Sequence, residues 1–400
     1  MLTFDQARER LLTQVPARPA EDVALQDVAG RVTAQALRAS MPLPRYAFSA
    51  MDGYAVSLED FAQDGPWLLP LNGTSQAGHS APALRRGTAC RIFTGAPIPS
   101  GADAVVMQEQ VQHSEGKLRF EKKPARGAHI RQVGEDLAQG ALAIGEGVRL
   151  HAGHIALCAM LGQQSVRVAG KPVVTILCTG DELRPVGTTL QDAQIFESNS
   201  AALAALAEQA CATVRVAPGV KDEPAALAAA LTQALEGTDL LLTVGGVSVG
   251  DHDLVRPMLE QVGVQLDFWK VAIKPGKPLA VGRSDKAVVL GLPGNPASAL
   301  VTFALFGMPL LRAMQGDKNA IAAPLRVGLA QTVEHATGRL EFARAQIAAI
   351  DGQWQASVHT NQSSGAATSL AWCNGLVALS SEVRRFEAGT VIDAWRFADL

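Results

Sequence analysis

The sequence predicts a multidomain protein in which a doubly wound α/β domain is combined with a mostly β domain, a helical linker domain and a C-terminal β domain. Strand-like and helix-like segments alternate from Lys171 onward, which indicates a parallel sheet with helices on both faces. Residues 43–138 are instead rich in glycine, proline and short β-type runs, and a hairpin pattern follows Ala323. A chain of 400 residues has room for about two to four domains.

The expected domain boundaries follow these changes of pattern. Residues 1–42 and 139–170 each contain a helix-like stretch, and we expect them to pack together as a discontinuous linker domain. Residues 43–138 form the mostly β domain, residues 171–320 the α/β domain and residues 321–400 the C-terminal β domain.

The α/β domain is predicted element by element from its periodicity. Its strands are expected in PVVTILC, TVRVAPGV, DLLLTV, QLDFWKVAI and AVVLGL, and its helices in SAALAALAEQACA, EPAALAAALTQALEG and DLVRPMLEQVG. In the C-terminal domain, GRLEFARAQIAAIDGQWQASVH reads as a hairpin that turns at Asp351 and Gly352.

The uncharged stretch 287–311 is long enough to suggest a membrane span. Pro293, Gly294 and Pro296 interrupt it, which leaves a short strand and an apolar helix that is too short to span comfortably. We therefore predict a buried strand and helix, and no membrane partner.

Charge and cysteine content exclude other classes of function. Thirty-five basic and 38 acidic residues give a net charge of −3, so no overall field draws the chain to nucleic acid. The five cysteines contain no C-x-x-C pair, which argues against a disulfide framework or a zinc knuckle. The N-terminus has charges at helical spacing, unlike a secretory leader. We expect a cytoplasmic protein with reduced thiols.

Two loops at the predicted strand ends carry acids and glycines. In CTGDEL (178–183), two adjacent carboxylates suit a divalent cation, although solvated capping acids explain the same pattern. In TVGGVSVGDHD (243–253), paired glycines before a helix suit an anion nest, and Asp251 and Asp253 are metal ligands or helix caps. The loop lacks the Walker and G-x-G-x-x-G patterns, so NTP hydrolysis and dinucleotide binding lose support.

Two further loops are expected at neighbouring strand ends, and one of them carries lysines. KVAIKPGKP (270–278) presents Lys274 and Lys277 on a stretch stiffened by proline, and GLPGNPAS (291–298) ends a neighbouring strand. Acids, lysines and a glycine nest at strand ends of one sheet predict a site for a phosphorylated small molecule, a cation and a second oxyanion. From the residues alone, the chemistry stays unspecified.

The order of the blocks resembles one family. SAMDGYAV, IFTGAPIPSGADAVVMQE, RQVGEDL, CTGDEL, FESNS, TVGGVSVGDHD, KVAIKPGKP and GLPGNPAS occur as in the MoeA family of molybdopterin molybdenumtransferases, which is related to the gephyrin E domain. The resemblance implies an elongated homodimer of four-domain subunits with a MogA-like α/β domain. It also implies that molybdate and adenylylated molybdopterin are the substrates, that AMP is released, and that an adenylyltransferase and molybdoenzymes are partners.

The resemblance also implies roles for individual residues. Asp52, Thr94 and Asp136 resemble the residues that one subunit contributes to the active site of the other. Glu182 and Asp253 complete the expected catalytic set, and Glu182 and Asp251 are the expected ligands of Mg²⁺, with Zn²⁺ as the alternative. The expected binding residues are Thr179, Gly180, Asp222, Gly245, Gly246, Ser248, Gly250, Lys274, Lys277, Pro293, Pro296 and Ser298.

Two departures from the family pattern keep alternatives open. Ala47 and Phe48 stand where the family usually has an Asp-Asn pair, and Cys178 stands where serine is common. The first change lies next to Asp52 and is compatible with a diverged scaffold or molybdopterin-binding protein, or with a paralogue that handles tungstate. The preceding adenylylation step is a further alternative, but it needs neither the β domains nor SAMDGYAV.

Overall fold

The structure is a computed structural model that describes residues 1–13, 15–221, 223–246 and 254–400. Five predicted site residues lie outside the described residues: Asp222, Ser248, Gly250, Asp251 and Asp253. The described chain divides into two compact units. The larger unit comprises residues 1–35, 146–151 and 165–400, and the smaller unit comprises residues 36–145 and 152–164.

The larger unit begins with helix α1 (Phe4–Leu12) and strand β1 (Ala20–Ala24). Thr3 and Gln6 cap the start of α1 reciprocally, each side chain accepting a hydrogen bond from the backbone N–H of the other residue. The apolar face of α1 is buried in the core of the α/β domain, where the ring of Phe4 lies 5.4 Å from that of Phe306. The helix assigned to the linker domain from the sequence therefore packs with the α/β core, and the domain boundaries themselves stay a prediction.

The smaller unit is built from short strands and one helix. The strands are β2 (Leu37–Arg38), β3 (Phe48–Ser49), β4 (Gly53–Val56), β5 (Trp67–Leu69), β6 (Leu71–Ser75), β7 (Ala89–Ile92), β8 (Ala104–Met107), β9 (Val111–Ser114), β10 (Lys117–Phe120), β11 (Ile130–Arg131) and β12 (Leu142–Ile144), and the helix is α2 (Ala152–Met160). Strand β4 lies inside a four-stranded sheet of order β6-β7-β4-β8. A Cβ at Gly53 would lie 2.1 Å from the carbonyl oxygen of Val106, so only glycine fits there.

The α/β domain of the larger unit follows strand β13 (Ser165–Ala169), which pairs with β1. Its elements are β14 (Val173–Cys178), β15 (Leu183–Arg184), β16 (Ile195–Phe196), α3 (Asn199–Gln209), β17 (Thr213–Val216), α4 (Pro224–Leu235), β18 (Leu240–Val244), α5 (Val255–Gln261), β19 (Gln265–Lys270), β20 (Ile273–Lys274), β21 (Pro278–Arg283) and β22 (Val288–Leu292). The main sheet has the order β17-β14-β18-β22-β21-β19, and its first four strands are parallel, as predicted.

The edge of this sheet differs from the prediction. Strand β21 was not predicted, and both β21 and β19 run antiparallel to their neighbours. The connections explain this difference, because residues 271–277 and 284–287 are too short to include the crossover helix that a parallel pair needs.

The apolar stretch after β22 forms one continuous helix. It consists of α6 (Pro296–Thr302), a π-helical turn (Phe303–Gly307) and α7 (Met308–Met314). At 19 residues it is long and apolar enough to cross a membrane, so the argument that it is too short was wrong. Burial is the better criterion, because 83% of this stretch lies inside the protein, as expected for a core helix.

The C-terminal domain is a small closed barrel. Its elements are β23 (Leu325–Leu329), β24 (Val333–Glu334), β25 (Leu340–Ile350), β26 (Gln353–Val358), α8 (Ala367–Trp372), β27 (Gly375–Leu379), β28 (Arg385–Phe386) and β29 (Val391–Arg396). The strands follow the order β25-β26-β23-β29-β27, and β27 pairs back with β25. The predicted hairpin is present, with Asp351 and Gly352 at φ 49° and 76° in its two-residue turn. Strand β20 of the α/β domain adds to the barrel beside β25.

Substitution of Gly276 tests how tightly the loop after β20 packs on the apolar helix. Its φ is +99°, and a Cβ would lie 2.2 Å from the Thr302 hydroxyl oxygen. Gly263 has a φ of +89° with open space around its Cβ position. Both alanine substitutions should cost about 1–2 kcal/mol of backbone strain, and Gly276→Ala should cost about 1–3 kcal/mol more from the steric clash.

The melting temperature, measured by calorimetry on each variant, checks this expectation. Gly276→Ala should melt clearly below Gly263→Ala. Equal melting temperatures would show that the loop accommodates a methyl group.

Candidate functional site

A cleft of about 430 Å³ opens at the carboxyl ends of the parallel strands β14, β18 and β22. Ligands of open α/β sheets bind at this edge. Seven of the predicted site residues line the cleft: Thr179, Gly180, Glu182, Gly245, Gly246, Pro293 and Pro296. The structure therefore brings together the loops after three different strands.

The paired glycines allow two of these loops to approach closely. Gly245 and Gly246 have φ values of +93° and +63°, which favour glycine. A Cβ at Gly245 would lie 2.6 Å from the carbonyl oxygen of Thr179, and one at Gly246 would lie 2.4 Å from a methyl carbon of Val255. A side chain at Gly245 would push the β14 and β18 loops apart, and one at Gly246 would clash with helix α5.

The cleft also contains buried oxygen atoms without partners. Thr179 and Asn199 are 5% and 7% exposed, and both line the cleft. The Asn199 amide nitrogen donates to the carbonyl oxygen of Gly294 at 2.8 Å. However, the Asn199 Oδ1 and Thr179 Oγ1 atoms have no hydrogen-bond partner within the described ranges. An unsatisfied buried polar group costs about 1–3 kcal/mol, so these atoms suit a bound ligand.

The donor atoms of the cleft fit a hard cation. Glu182 is exposed and lines the cleft together with the unpartnered oxygens of Thr179 and Asn199. Mg²⁺ takes oxygen ligands of this kind, whereas Zn²⁺ favours histidine and cysteine. In the described parts of the chain, no group of three acidic, histidine or cysteine side chains is assembled, and Asp251 lies outside them.

A second pocket of about 660 Å³ is lined by Pro293 and Asn295, which also line the cleft. Besides Pro293, it contains three predicted binding residues: Lys274, Lys277 and Ser298. The barrel adds Arg339, Gln362, Ser363 and Ser364. We call it the cationic pocket. Its ammonium, guanidinium and hydroxyl groups are the donors that bind tetrahedral oxyanions.

The barrel residues of the cationic pocket were not predicted from the sequence. They come from a domain outside the α/β alternation, so the pattern of strand ends could not include them. Asn199 was missed as well, although it lies in FESNS, one of the blocks that carry the family resemblance.

A buried arginine holds the barrel loop that faces this pocket. Arg344 is fully buried, and its Nε donates to the Ser369 hydroxyl at 2.7 Å. One of its terminal nitrogens donates to the carbonyl oxygen of Ser363 at 2.9 Å. Burial lowers the pKa of the Arg344 guanidinium from its ordinary value. Asn295 reaches the same loop, donating to the Ser364 hydroxyl at 3.0 Å.

In the smaller unit, Asp52 and Thr94 lie together as a hydrogen-bonded pair. The Thr94 backbone N–H and hydroxyl donate to the Asp52 Oδ1 atom at 2.7 and 2.9 Å. These two bonds, the backbone one first, hold the pKa of Asp52 below its ordinary value. Asp136 is exposed, and its backbone N–H donates to the carbonyl oxygen of Leu43 at 3.0 Å.

Of the two departures from the family pattern, the one at Cys178 has a local explanation, whereas nothing in the structure explains Ala47 and Phe48. Cys178 is buried, and its thiol contacts the Glu197 carboxylate at 3.3 Å. Burial first, and then the negative charge of Glu197, raise the pKa of the Cys178 thiol. The thiol therefore stays neutral and donates as a serine hydroxyl would. Phe48 pairs with Arg131 between β3 and β11, and its ring lies 6.4 Å from that of Tyr46.

Comparison with known proteins defines the class of the molecule. Residues 2–162 match the MoeA N-terminal region (domain I and II), residues 175–313 a probable molybdopterin binding domain, and residues 326–397 the MoeA C-terminal region (domain IV). The cleft thus lies in a domain of the molybdopterin-binding class.

Individual relatives agree with this class over nearly the whole chain. The molybdopterin molybdenumtransferase of Haemophilus influenzae is 40% identical over 86% of this chain and 85% of its own length. That of Synechococcus elongatus is 36% identical over 98% and 99%. The crystal structure of the molybdopterin biosynthesis MoeA protein from Pyrococcus horikoshii OT3 superposes with a TM-score of 0.85 at 27% identity, covering 98% of this chain and 99% of that one. The chain belongs to the MoeA family of molybdopterin molybdenumtransferases, which confirms the resemblance and the predicted fold class.

The pair formed by Asp52 and Thr94 gives a measurable pKa. Thr94→Ala removes the hydroxyl donor and keeps the backbone N–H, so the pKa of Asp52 should rise but stay below that of an ordinary aspartate. Titration of the carboxyl carbon by NMR measures it. An unchanged pKa would show that the hydroxyl contributes nothing to the ionisation of Asp52.

Proposed function

We propose that this protein inserts molybdate into adenylylated molybdopterin, with cleavage of the phosphoanhydride and release of AMP. The observation that carries the proposal is the position of the oxygen-lined cleft directly beside the cationic pocket, with Pro293 and Asn295 in the lining of both. Two neighbouring sites for anions are what a reaction between molybdate and a phosphorylated pterin requires. Family membership and the names of the curated relatives support the same reaction.

In this proposal the cleft binds the phosphoanhydride and the cationic pocket binds molybdate. Two like unit charges 4 Å apart repel by about 4 kcal/mol at an effective dielectric constant of about 20, so two anions do not share this space without counter-charges. Lys274, Lys277 and Arg339 supply those charges from the wall of the pocket. The hydroxyl of Ser298, a residue that is 5% exposed, adds a donor to the same wall.

Glu182 and Asp251 are the residues proposed to hold Mg²⁺, which would neutralise negative charge on the anhydride and on the departing AMP. Asn199 Oδ1 and Thr179 Oγ1 supply further oxygen atoms beside Glu182. Thr94 fixes the Oδ1 atom of Asp52 through two hydrogen bonds, which also lower the pKa of this carboxyl. We propose that Asp52 acts in the active site of a second subunit, in a cytoplasmic homodimer.

The activity is tested with purified protein, adenylylated molybdopterin, molybdate and Mg²⁺, following AMP release and the reconstitution of an apo-molybdoenzyme. Glu182→Gln removes one of the two carboxylates proposed to hold Mg²⁺, so it should lower kcat about 100-fold. Each tenfold loss corresponds to about 1.4 kcal/mol of transition-state stabilisation. Glu208→Gln removes an exposed carboxylate from α3 of the same domain and should leave kcat unchanged. Wild-type activity in a folded Glu182→Gln protein would remove this residue from the site.

Subunit mixing tests whether the site is shared. Asp52→Asn and Glu182→Gln homodimers should both be inactive, and random exchange makes about half of all dimers mixed. One of the two sites in each mixed dimer is intact if both subunits contribute to it, so activity should recover to about a quarter of wild type. No recovery after exchange has been demonstrated by mass spectrometry would place Asp52 and Glu182 in the same subunit's site.

A further inference from the structure

We propose that Glu341, on the first long strand of the C-terminal barrel, is a positioning residue that fixes the Lys274 ammonium at the cationic pocket. The inference rests on the proposed function, in which this pocket binds molybdate. Glu341 itself is absent from the pocket lining, so it would act through Lys274 and not by touching the substrate.

The strand register brings the two residues together. Strands β20 and β25 pair in parallel, with Ile273 beside Leu340 and Lys274 beside Glu341. The Lys274 Nζ atom lies 3.0 Å from Oε1 and 3.1 Å from Oε2 of Glu341, so both carboxylate oxygens contact one ammonium group. This contact joins the loop of the α/β domain to the barrel.

The two side chains differ in exposure. The Glu341 side chain is 4% exposed, whereas that of Lys274 is 38% exposed and lines the pocket. A buried carboxylate has few alternative conformations, while a lysine in solvent has many. The buried carboxylate of Glu341 therefore fixes the ammonium group of Lys274. The exposed face of this ammonium stays available to an oxyanion.

A histidine fixes the carboxylate in turn. The His335 Nδ1 atom lies 3.1 Å from Glu341 Oε2, and the Nε2 atom lies 2.7 Å from the carbonyl oxygen of Val383. The His335 side chain is 3% exposed, and its ring lies 5.7 Å from that of Phe386. The chain of contacts from Val383 through His335 and Glu341 to Lys274 thus runs from the loop between β27 and β28 to the pocket.

The expected benefit is entropic. A lysine side chain carries about 2 kcal/mol of rotamer entropy, which an oxyanion must otherwise overcome when it orders the ammonium. Because the contact with Glu341 orders Lys274 beforehand, molybdate binds an ammonium group that is already in place. A purely structural ion pair would change the melting temperature without changing the affinity for molybdate.

The test is a double-mutant cycle on the full-length protein, which isolates the coupling between two residues. The variants are Lys274→Ala, Glu341→Gln and the double variant, and the readouts are the dissociation constant for molybdate by calorimetric titration, together with KM and kcat. Lys274→Ala should weaken molybdate binding about 10-fold or more, and Glu341→Gln about 5-fold, with kcat at saturating molybdate within twofold of wild type. In the Lys274→Ala background, Glu341→Gln should have no further effect.

A matched control separates position from net charge. Glu334→Gln, in strand β24 of the same domain, removes the same charge from a carboxylate that is 56% exposed and paired with Arg385. This variant should bind molybdate as wild type does. If Glu341→Gln does not fold, Glu341→Asp replaces it in the cycle, since aspartate keeps the charge but is one methylene shorter and should also weaken binding.

The outcomes separate the two proposals. Molybdate affinity that Lys274→Ala leaves unchanged, or no binding by the wild type, would overturn the proposed role of the pocket. Weakened binding in Lys274→Ala together with unchanged or tighter binding in Glu341→Gln would overturn the positioning role alone. A loss from Glu341→Gln that persists in the Lys274→Ala background would overturn it too.

Discussion

The cationic pocket depends on the addition of two residues of the α/β domain, Ile273 and Lys274, to the edge of the C-terminal barrel. This short pairing carries the KPGKP loop away from its own sheet and against Arg339, whose guanidinium donates to the carbonyl oxygen of Ile273 at 3.2 Å. Gly276 lets the loop lie directly on Thr302 of the apolar helix. Lys274, Lys277 and Arg339 therefore meet although they belong to two domains.

The cleft contains buried polar atoms that find no partner in the described chain, and a ligand is proposed to bind there. Buried polar groups are normally paired, yet Thr179 Oγ1 and Asn199 Oδ1 in the cleft lack partners within the described ranges. Arg344, which holds the barrel loop at the cationic pocket, likewise has one terminal nitrogen without a partner among the described residues. Polar groups of this kind at a pocket suit a bound ligand, because a group that is already satisfied within the protein is not available to a substrate.

The sequence was informative where the pattern of neighbouring residues determines the local structure. The alternation of strand-like and helix-like segments located β14, β18 and β22, because each of these buried parallel strands is largely apolar along its length. It did not predict β21, because hairpin pairing at the sheet edge depends on the short turn at residues 284–287. The length of the apolar helix was underestimated at its ends, because Pro296 lies in the first turn of the helix, where proline is tolerated, and does not interrupt it.

The same distinction applies to the site. The loops that end parallel strands meet at one edge by topology, so Glu182, Gly245 and Pro293 could be grouped before the fold was known. The pairing of Asp52 with Thr94 was accessible only through the family's block order, since 42 positions separate them. No pattern in the sequence indicated that Arg339 and Ser363 belong to the pocket. Their position depends on the pairing of the barrel with the two residues of β20, and no local pattern encodes that pairing.

The placement of Glu341 also bears on charge balance. The cationic pocket contains the side chains of Lys274, Lys277 and Arg339, and Glu341 lies behind the first of them. The negative charge of Glu341 offsets part of the positive charge of these three side chains. In the proposed reaction both substrates are anions, so a larger excess of positive charge at this pocket would also favour the phosphates of the pterin substrate over molybdate. The buried carboxylate of Glu341 thus agrees with the proposed arrangement, in which phosphate binds in the cleft beside Gly245 and Gly246 and molybdate binds at the lysines of the cationic pocket.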